Sequence, residues 1–382
     1  MTEKKLPELA IIYLKFGTTL LCSWPLKPQA GSLEKIFYGV KWLFLLFILM
    51  VCDLPILYTA YLRRNDFMEL TKYLCFAGSM SHGLIKMIIC RCYHREYQLC
   101  FYHVQELFAI MDHYFEHATP QEREALNACV RKAAPVHMTA NMIGFVAAVS
   151  YVCGPLVLDQ DLPTEAVYPF AINYSPMFQI IYTLQSIAVL QCSAVGPLDG
   201  QVCVLFWFTI ARLQLLEHDM RNIASVEELN SCIRKHQSIL RFNKKATDVA
   251  RPIVMTTVAM ATVTVAFGAV HLIGDEPLEM KIQFIGLDIG YGIQLYLSAW
   301  AAENFMKAIN DVKWALYDSP WLQSSRSTNQ SVIIVLQRLN EIPIISVGGF
   351  IPELSLNYYA VYLSKTMSFF TTLRIMLQKM DE

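Results

Sequence analysis

The residues of this chain best suited to chemistry lie in runs that are otherwise apolar. The stretch Pro352 to Gln378 opens with Pro-Glu, a helix-start signal, and stays apolar for about the ~20 residues a bilayer demands. At helical spacing Tyr358, Val361, Lys365, Ser368, Thr372 and Ile375 share one face. Leu356, Leu363, Met367 and Phe370 make the opposite face apolar. A polar stripe on a helix of this length must turn from lipid toward another helix or toward water. Two readings are open: the stripe lines a pore, or Ser368 and Thr372 hydrogen-bond to carbonyls one turn back.

Asp53, Lys86, Asp199 and Asp288 also interrupt apolar runs. Asp288 is the sharpest case, because an intramembrane carboxylate marks a functional site by default. It could instead be a protonated acid or the partner of a hydroxyl on a neighbouring helix; His82 and Lys86 are equally eligible as its partner. No HExxH, Gly-x-Ser-x-Gly, phosphate-binding loop or dinucleotide fingerprint occurs, so an enzyme is not expected, nor a cofactor. Cys90-x-Cys92 is too close for the usual zinc spacing, and no metal site is expected. A proton-coupled transporter could use the buried charges, but transporters typically show two similar halves and this chain shows none.

Composition sets the class. Hydrophobic residues make up 55%, charged residues 16%, and mean hydropathy is +0.36. That is a membrane-protein balance, and a net charge of -1 suggests no nucleic-acid partner. The 11 cysteines are odd in number and scattered, many in apolar runs (Cys52, Cys192, Cys203), which favours packing over a disulfide framework. The N-terminal apolar run is short and broken by Lys15, so no cleavable signal is expected.

Spans are predicted at Trp42–Leu62, Phe67–Cys90, Val136–Leu158, within Ala166–Ala211, at Pro252–Ile273, at Ile282–Ala302 and in the final stretch. Arg91 to Lys132 and Arg212 to Arg251 are charged and amphipathic and read as extensions outside lipid. Ala166–Ala211 is too long for one crossing, so it must tilt, bend at Gly196-Pro197 or project. Ser331–Leu336 is apolar but too short to span, and Pro343, Gly348 and Gly349 interrupt the stretch after it. Lys and Arg concentrate before the first span and after the second, fourth and sixth, which puts the N-terminus inside and the C-terminus outside. A G-protein-coupled receptor has the opposite orientation. Its Asp-Arg-Tyr and Asn-Pro-x-x-Tyr signatures are missing too, so no G protein is expected as a partner.

Leu316-Tyr317, Ser319 and Trp321, then a half-helix with Gln337-Arg338, Gly349-Phe350 before Pro352, and Ser368-Phe369-Phe370 near Leu373-Arg374 succeed one another in a distinctive order. In this order the chain resembles the C-terminal third of insect odorant receptors. Gustatory receptors, an alternative, usually end in Thr-Tyr and a Gln-Phe, from which Ser368-Phe369-Phe370 departs. The resemblance implies an all-α membrane protein with seven transmembrane helices, the seventh split. It implies an odour-tuning subunit of a heterotetrameric, ligand-gated, non-selective cation channel, formed with a co-receptor subunit in the plasma membrane of sensory dendrites. Residues 1–306 would form helices one to six, 307–351 a cytosolic anchor, and 352–382 the pore helix and outer terminus. Trp314, Tyr317 and Trp321 would serve assembly; Lys365, Ser368, Thr372 and Ile375 would face the pore, Thr372 at the outer gate. Lys365 repels cations, so it either snorkels to a cytosolic vestibule or is present in one or two copies per tetramer. A small volatile ligand would sit in the outer half among helices two, three, four and six. Candidates are Tyr73, Ala77, Met80 and Ser81; Phe145, Ala148, Val149 and Val152; Phe178, Ile181, Tyr182 and Gln185; and Leu287, Asp288, Tyr291 and Gln294. Ordinary helix packing is the competing account of each.

The orientation has a direct test. Asn173-Tyr174-Ser175 falls in a segment expected outside and Asn329-Gln330-Ser331 in one expected inside. Glycosidase-sensitive mass on Asn173→Gln and Asn329→Gln variants is expected to report no glycan at Asn329. A glycan there would invert the topology.

Overall fold

The computed structural model describes residues 6–24, 26, 30–91, 98–157, 160–223, 225–274, 277–323, 325–340, 346 and 353–380. Among them the regular structure is helical: α1 (Leu6–Gly17), α2 (Ser32–Leu62), α3 (Phe67–Arg91), α4 (Gln98–His117), α5 (Pro120–Val152), α6 (Met177–Ser193), α7 (Val195–Arg221), α8 (Val226–Ile273), α9 (Leu278–Asp318), α10 (Arg326–Leu339) and α11 (Leu356–Met380). A backbone in lipid has no water to bond, and a helix satisfies its own amides. By length and composition α2, α3, α5, the α6–α7 pair and α8 can each cross a membrane. The crossing stretches of α9 and α11 are more polar, carrying Asp288 and Lys365.

Local chemistry sets the starts. Thr119 and Glu122 form a capping box for α5, as do Ser225 and Glu228 for α8. At 48 residues α8 rises about 72 Å, against a hydrocarbon core of about 30 Å. Its polar first half therefore extends beyond the membrane, alongside the distal parts of α7 and α9 and next to α4 and α10. Helix α7 is the axis of this layer. It packs on α5, α8 and α9 and buries Leu205, Phe206, Phe208, Leu213 and Leu216. Phe208 meets Tyr114 at 5.3 Å, Phe242 at 5.2 Å and Phe115 at 5.9 Å between ring centroids, an aromatic knot that ties α4, α7 and α8 together.

Several expected boundaries move. The long fourth segment breaks at Ala194, between α6 and α7, rather than at Gly196-Pro197. Pro197 lies in the first turn of α7, where its missing N–H costs no helical bond. Residues 166–176 precede α6 as loop, so the crossing begins only at Met177. The third span ends at Val152, before a short 3-10 turn over Gly154–Leu156. Helices α2, α5 and α8 start well before their apolar runs, and α9 runs past its own to Asp318; Pro55 and Pro252 lie inside α2 and α8 without ending them. Helix α11 starts at Leu356 rather than at Pro352-Glu353, and Ser355 Oγ accepts the Tyr358 amide at 3.2 Å. The short apolar piece at 331–336 grows into α10, 14 residues and still too short to span, so the last helix is split in two. Asp159, Pro343, Gly348, Gly349, Phe350, Pro352 and Cys92 lie outside the described residues. Cys22, Cys52, Cys75, Cys129, Cys203 and Cys232 are free, buried thiols.

A candidate ligand cavity and a candidate pore helix

Glycines open a space inside the bundle. A methyl built on Gly144 of α5, or on Gly286 or Gly290 of α9, would meet nothing within 4 Å, and all three line one cavity of about 320 Å³. That volume sits at the lower end of the ~300–1,000 Å³ typical of small-molecule sites. Its walls are α3 (Ser79, His82), α5 (His137, Asn141, Ala148, Tyr151), the α6–α7 break (Cys192, Gly196, Asp199) and α9 (Leu287, Tyr291, Gln294). These are the second, third, fourth and sixth crossings. The His82 and Tyr291 rings stack at 5.5 Å between α3 and α9.

Beside the cavity lies a buried charge cluster. Lys86 Nζ donates to Asp199 Oδ1 at 2.5 Å and to Thr257 Oγ1 at 2.8 Å, joining α3, α7 and α8. Lys86 is fully buried and Asp199 nearly so. Each charge would be costly alone in this setting; together, with the threonine, they satisfy one another. Asp288 is bonded to neither of the two eligible partners, His82 and Lys86: Asp199 takes the lysine, and Asp288 lies against Gly268 of α8. Its Oδ1 stands 3.0 Å from where a Gly268 methyl would be, and that atom has no partner among the described residues. Asp53 accepts from Ser81 at 2.7 Å.

Of the proposed ligand residues, the structure brings Ala148, Leu287, Tyr291 and Gln294 to this cavity. The others stand elsewhere. Tyr73, Ala77 and Met80 are buried on other faces of α3. Phe145 and Val149 are 46% and 40% exposed, on the outer side of α5. Tyr182 donates to the Val152 carbonyl at 2.9 Å. Gln185 accepts the Thr164 amide at 2.9 Å and donates to Tyr168 at 3.1 Å, holding the loop before α6, where Ile181 and Phe178 pack with Leu162 and Tyr168. His137 and Asn141 were not anticipated, and Asp199, noted as an intramembrane charge, was not assigned to the ligand site. The spacing of His137, Asn141, Gly144, Ala148 and Tyr151 was a readable signal, a polar and small-residue stripe at helical period on one face of the third crossing.

Among the described residues helix α11 packs chiefly on α8 and α9 and is largely exposed on its other faces. Lys365, Ser368, Thr372 and Ile375 are all exposed, as are Leu363 and Met367 on the opposite side. Ser368 Oγ donates to the Ser364 carbonyl at 3.0 Å and Thr372 Oγ1 to the Ser368 carbonyl at 2.9 Å. These are the bonds to carbonyls one turn back that the second reading of the stripe calls for, and both side chains are also exposed, as the first requires. The N-terminal end of α11 is seated on α9, with the Leu356 amide on Glu303 at 3.2 Å and Tyr359 edge-on to Tyr296 at 5.6 Å. Beyond it, Trp314 and Tyr317 form an exposed edge-to-face pair at 5.8 Å, and Trp321 Nε1 donates to the Tyr317 carbonyl at 3.2 Å.

The family model described as 7tm Odorant receptor matches residues 66–366. The chain belongs to this family. Odorant receptor 9a of Drosophila melanogaster is 22% identical over 312 residues, 76% of this chain and 77% of that protein. The insect olfactory receptor OR5 from Machilis hrabei has the same fold, with a TM-score of 0.80 at 15% identity over 97% of this chain and 99% of that one. Its complex with eugenol superposes with a TM-score of 0.79 at 15% identity, covering 96% and 98%. This odorant receptor is therefore an all-helical membrane protein, and the family is one of receptors rather than enzymes.

The charge cluster makes a testable demand on the receptor. Lys86→Met leaves Asp199 buried without its cation, a loss of roughly 3–5 kcal/mol. Thermal unfolding of the detergent-purified receptor should show a large drop for Lys86→Met and a partial recovery for Lys86→Met with Asp199→Leu. Equal stability of the single variant and the parent would remove the pair from the account.

Proposed function

We propose that the chain is the odorant-binding, tuning subunit of a ligand-gated, non-selective cation channel, assembled as a heterotetramer with a co-receptor subunit in sensory dendrite membranes. The N-terminus is cytosolic and the C-terminus external in this reading. The observation that carries it is the bareness of α11. A membrane-length helix that keeps a lysine and several hydroxyls uncovered needs neighbours around it, and an aqueous path is the one environment that suits them all. Four such helices around an axis would line that path. Residues 307–351, with Trp314 and Tyr317 uncovered and Trp321 partly buried beside them, suit an inner anchor between subunits, where large aromatics contribute most. Residues 1–306 carry the odorant cavity, and residues 352–382 the pore helix. Lys365 is tolerable in a cation path when few copies line it, which favours a mixed assembly.

Gating then rests on differential binding: an odorant opens the channel only as far as it favours the open arrangement. The cavity wall on α9 and the cluster on α8 flank the two helices that carry α11, so a filled cavity moves α11 through its own supports. Recording odorant-evoked current with and without the co-receptor tests the assembly. Thr372→Cys, in a parent channel matched for native thiols, should react with a charged thiol reagent applied outside, faster in odorant. A variant that never reacts in either state would take Thr372 out of the pore and leave the stripe as packing polarity.

A further inference from the structure

The floor of the cavity indicates what chemistry its occupant carries. Asn141 on α5 and Gln294 on α9 meet over Gly196 at the start of α7. A methyl built on Gly196 would lie 2.7 Å from Asn141 Oδ1 and 3.9 Å from Gln294 Nε2, so glycine lets the two amides converge. Both side chains line the cavity. Asn141 is 8% exposed, yet its Nδ2 has no partner among the described residues, and neither has the buried Oε1 of Gln294. Asn141 Oδ1 and Gln294 Nε2 thus converge on Gly196, and the other atom of each amide is buried without a partner among the described residues, a donor on Asn141 and an acceptor on Gln294. Unmet polar atoms at this depth are costly, and a ligand that answers both gains what one answering neither forfeits.

We propose that the cavity takes a small neutral hydroxyl compound, an alcohol or phenol, with its OH between Asn141 and Gln294. This rests on the odorant-binding reading and narrows it. A hydroxyl accepts from one amide and donates to the other through a single atom. A ketone or ester only accepts, and an alkane does neither. Charged ligands are disfavoured, because Asp199, the one Asp, Glu, Lys or Arg among the described lining residues, is already neutralised by Lys86. The hydrocarbon body of the ligand has Ile143, Ala148 and Leu287 to pack against.

The test uses the full-length receptor, purified in detergent, with thermal stabilisation as the binding readout. Probes are matched alcohol, ketone and alkane triplets of about five to ten carbons, linear and cyclic, together with the corresponding amines and acids. In triplets that bind, the alcohol should lead the ketone and the alkane in affinity by roughly tenfold or more, and amines and acids should trail. Asn141→Leu and Gln294→Met should each erase that lead while the ketone's affinity changes little. If Asn141→Leu does not fold, Gln294→Met carries the same comparison alone. Equal binding of alcohol and ketone by the parent, or a lead that survives the substitutions, overturns the hydroxyl assignment and leaves odorant binding standing. Failure of every triplet to stabilise the receptor overturns odorant binding in this cavity itself.

Discussion

A polar group inside a membrane must find its partner in the protein, and the bond from Lys86 to Asp199 is where this receptor meets that demand most severely. Two full charges are withdrawn from water and matched to each other and to Thr257. The match holds only if α3, α7 and α8 keep a fixed register. The break at Ala194 is what presents Asp199 to both the lysine and the cavity, and the glycines of α5 and α9 leave the space beside it empty. The cavity is thus a gap kept open by an electrostatic brace rather than a residue of poor packing. A brace of this kind adds specificity of arrangement more than net stability, since the cost of stripping water from both charges offsets much of their attraction.

The same brace connects the cavity to the rest of the chain. Thr257 belongs to α8, and α8 and α9 are the helices on which α11 rests. A ligand that presses on Asp199, Tyr291 or Gln294 therefore acts on the supports of α11 directly. No long relay of side chains is required. Farther along α7 the aromatic knot around Phe208 holds α4, α7 and α8 together.

Much of the fold was legible because lipid enforces period and length. The α3 boundaries and the overlong fourth crossing come from counting apolar residues and the polar stripe of α11 from helical spacing, whereas the split of the last helix came from the family resemblance. Helix starts were less legible: capping by Ser225 and Thr119 pulls α8 and α5 far back from their apolar runs, and hydropathy is blind to caps. The cavity was half legible. Ala148, Leu287, Tyr291 and Gln294 were found because the resemblance pointed to the right four crossings, whereas on α5 Phe145 and Val149 were chosen from the lipid face and the face carrying His137 and Asn141 was passed over. Phe145 points outward because lipid accepts it; Asn141 turns inward because lipid does not. The partner of Lys86 was beyond reach, since which of three carboxylates a buried lysine meets depends on the relative rotation of helices that sequence period leaves free.

The central claim is that α11 borders the ion path. Lys365 offers the most direct measurement, because a fixed charge beside permeating cations alters their local concentration. Single-channel conductance and reversal potential should be recorded for Lys365→Glu and Lys365→Gln receptors paired with a co-receptor. Cation conductance should rise in the order Lys, Gln, Glu, most strongly at low ionic strength, where screening is weakest. Conductance and reversal potential that are the same for all three, with normal surface expression, would contradict a pore lined by this helix.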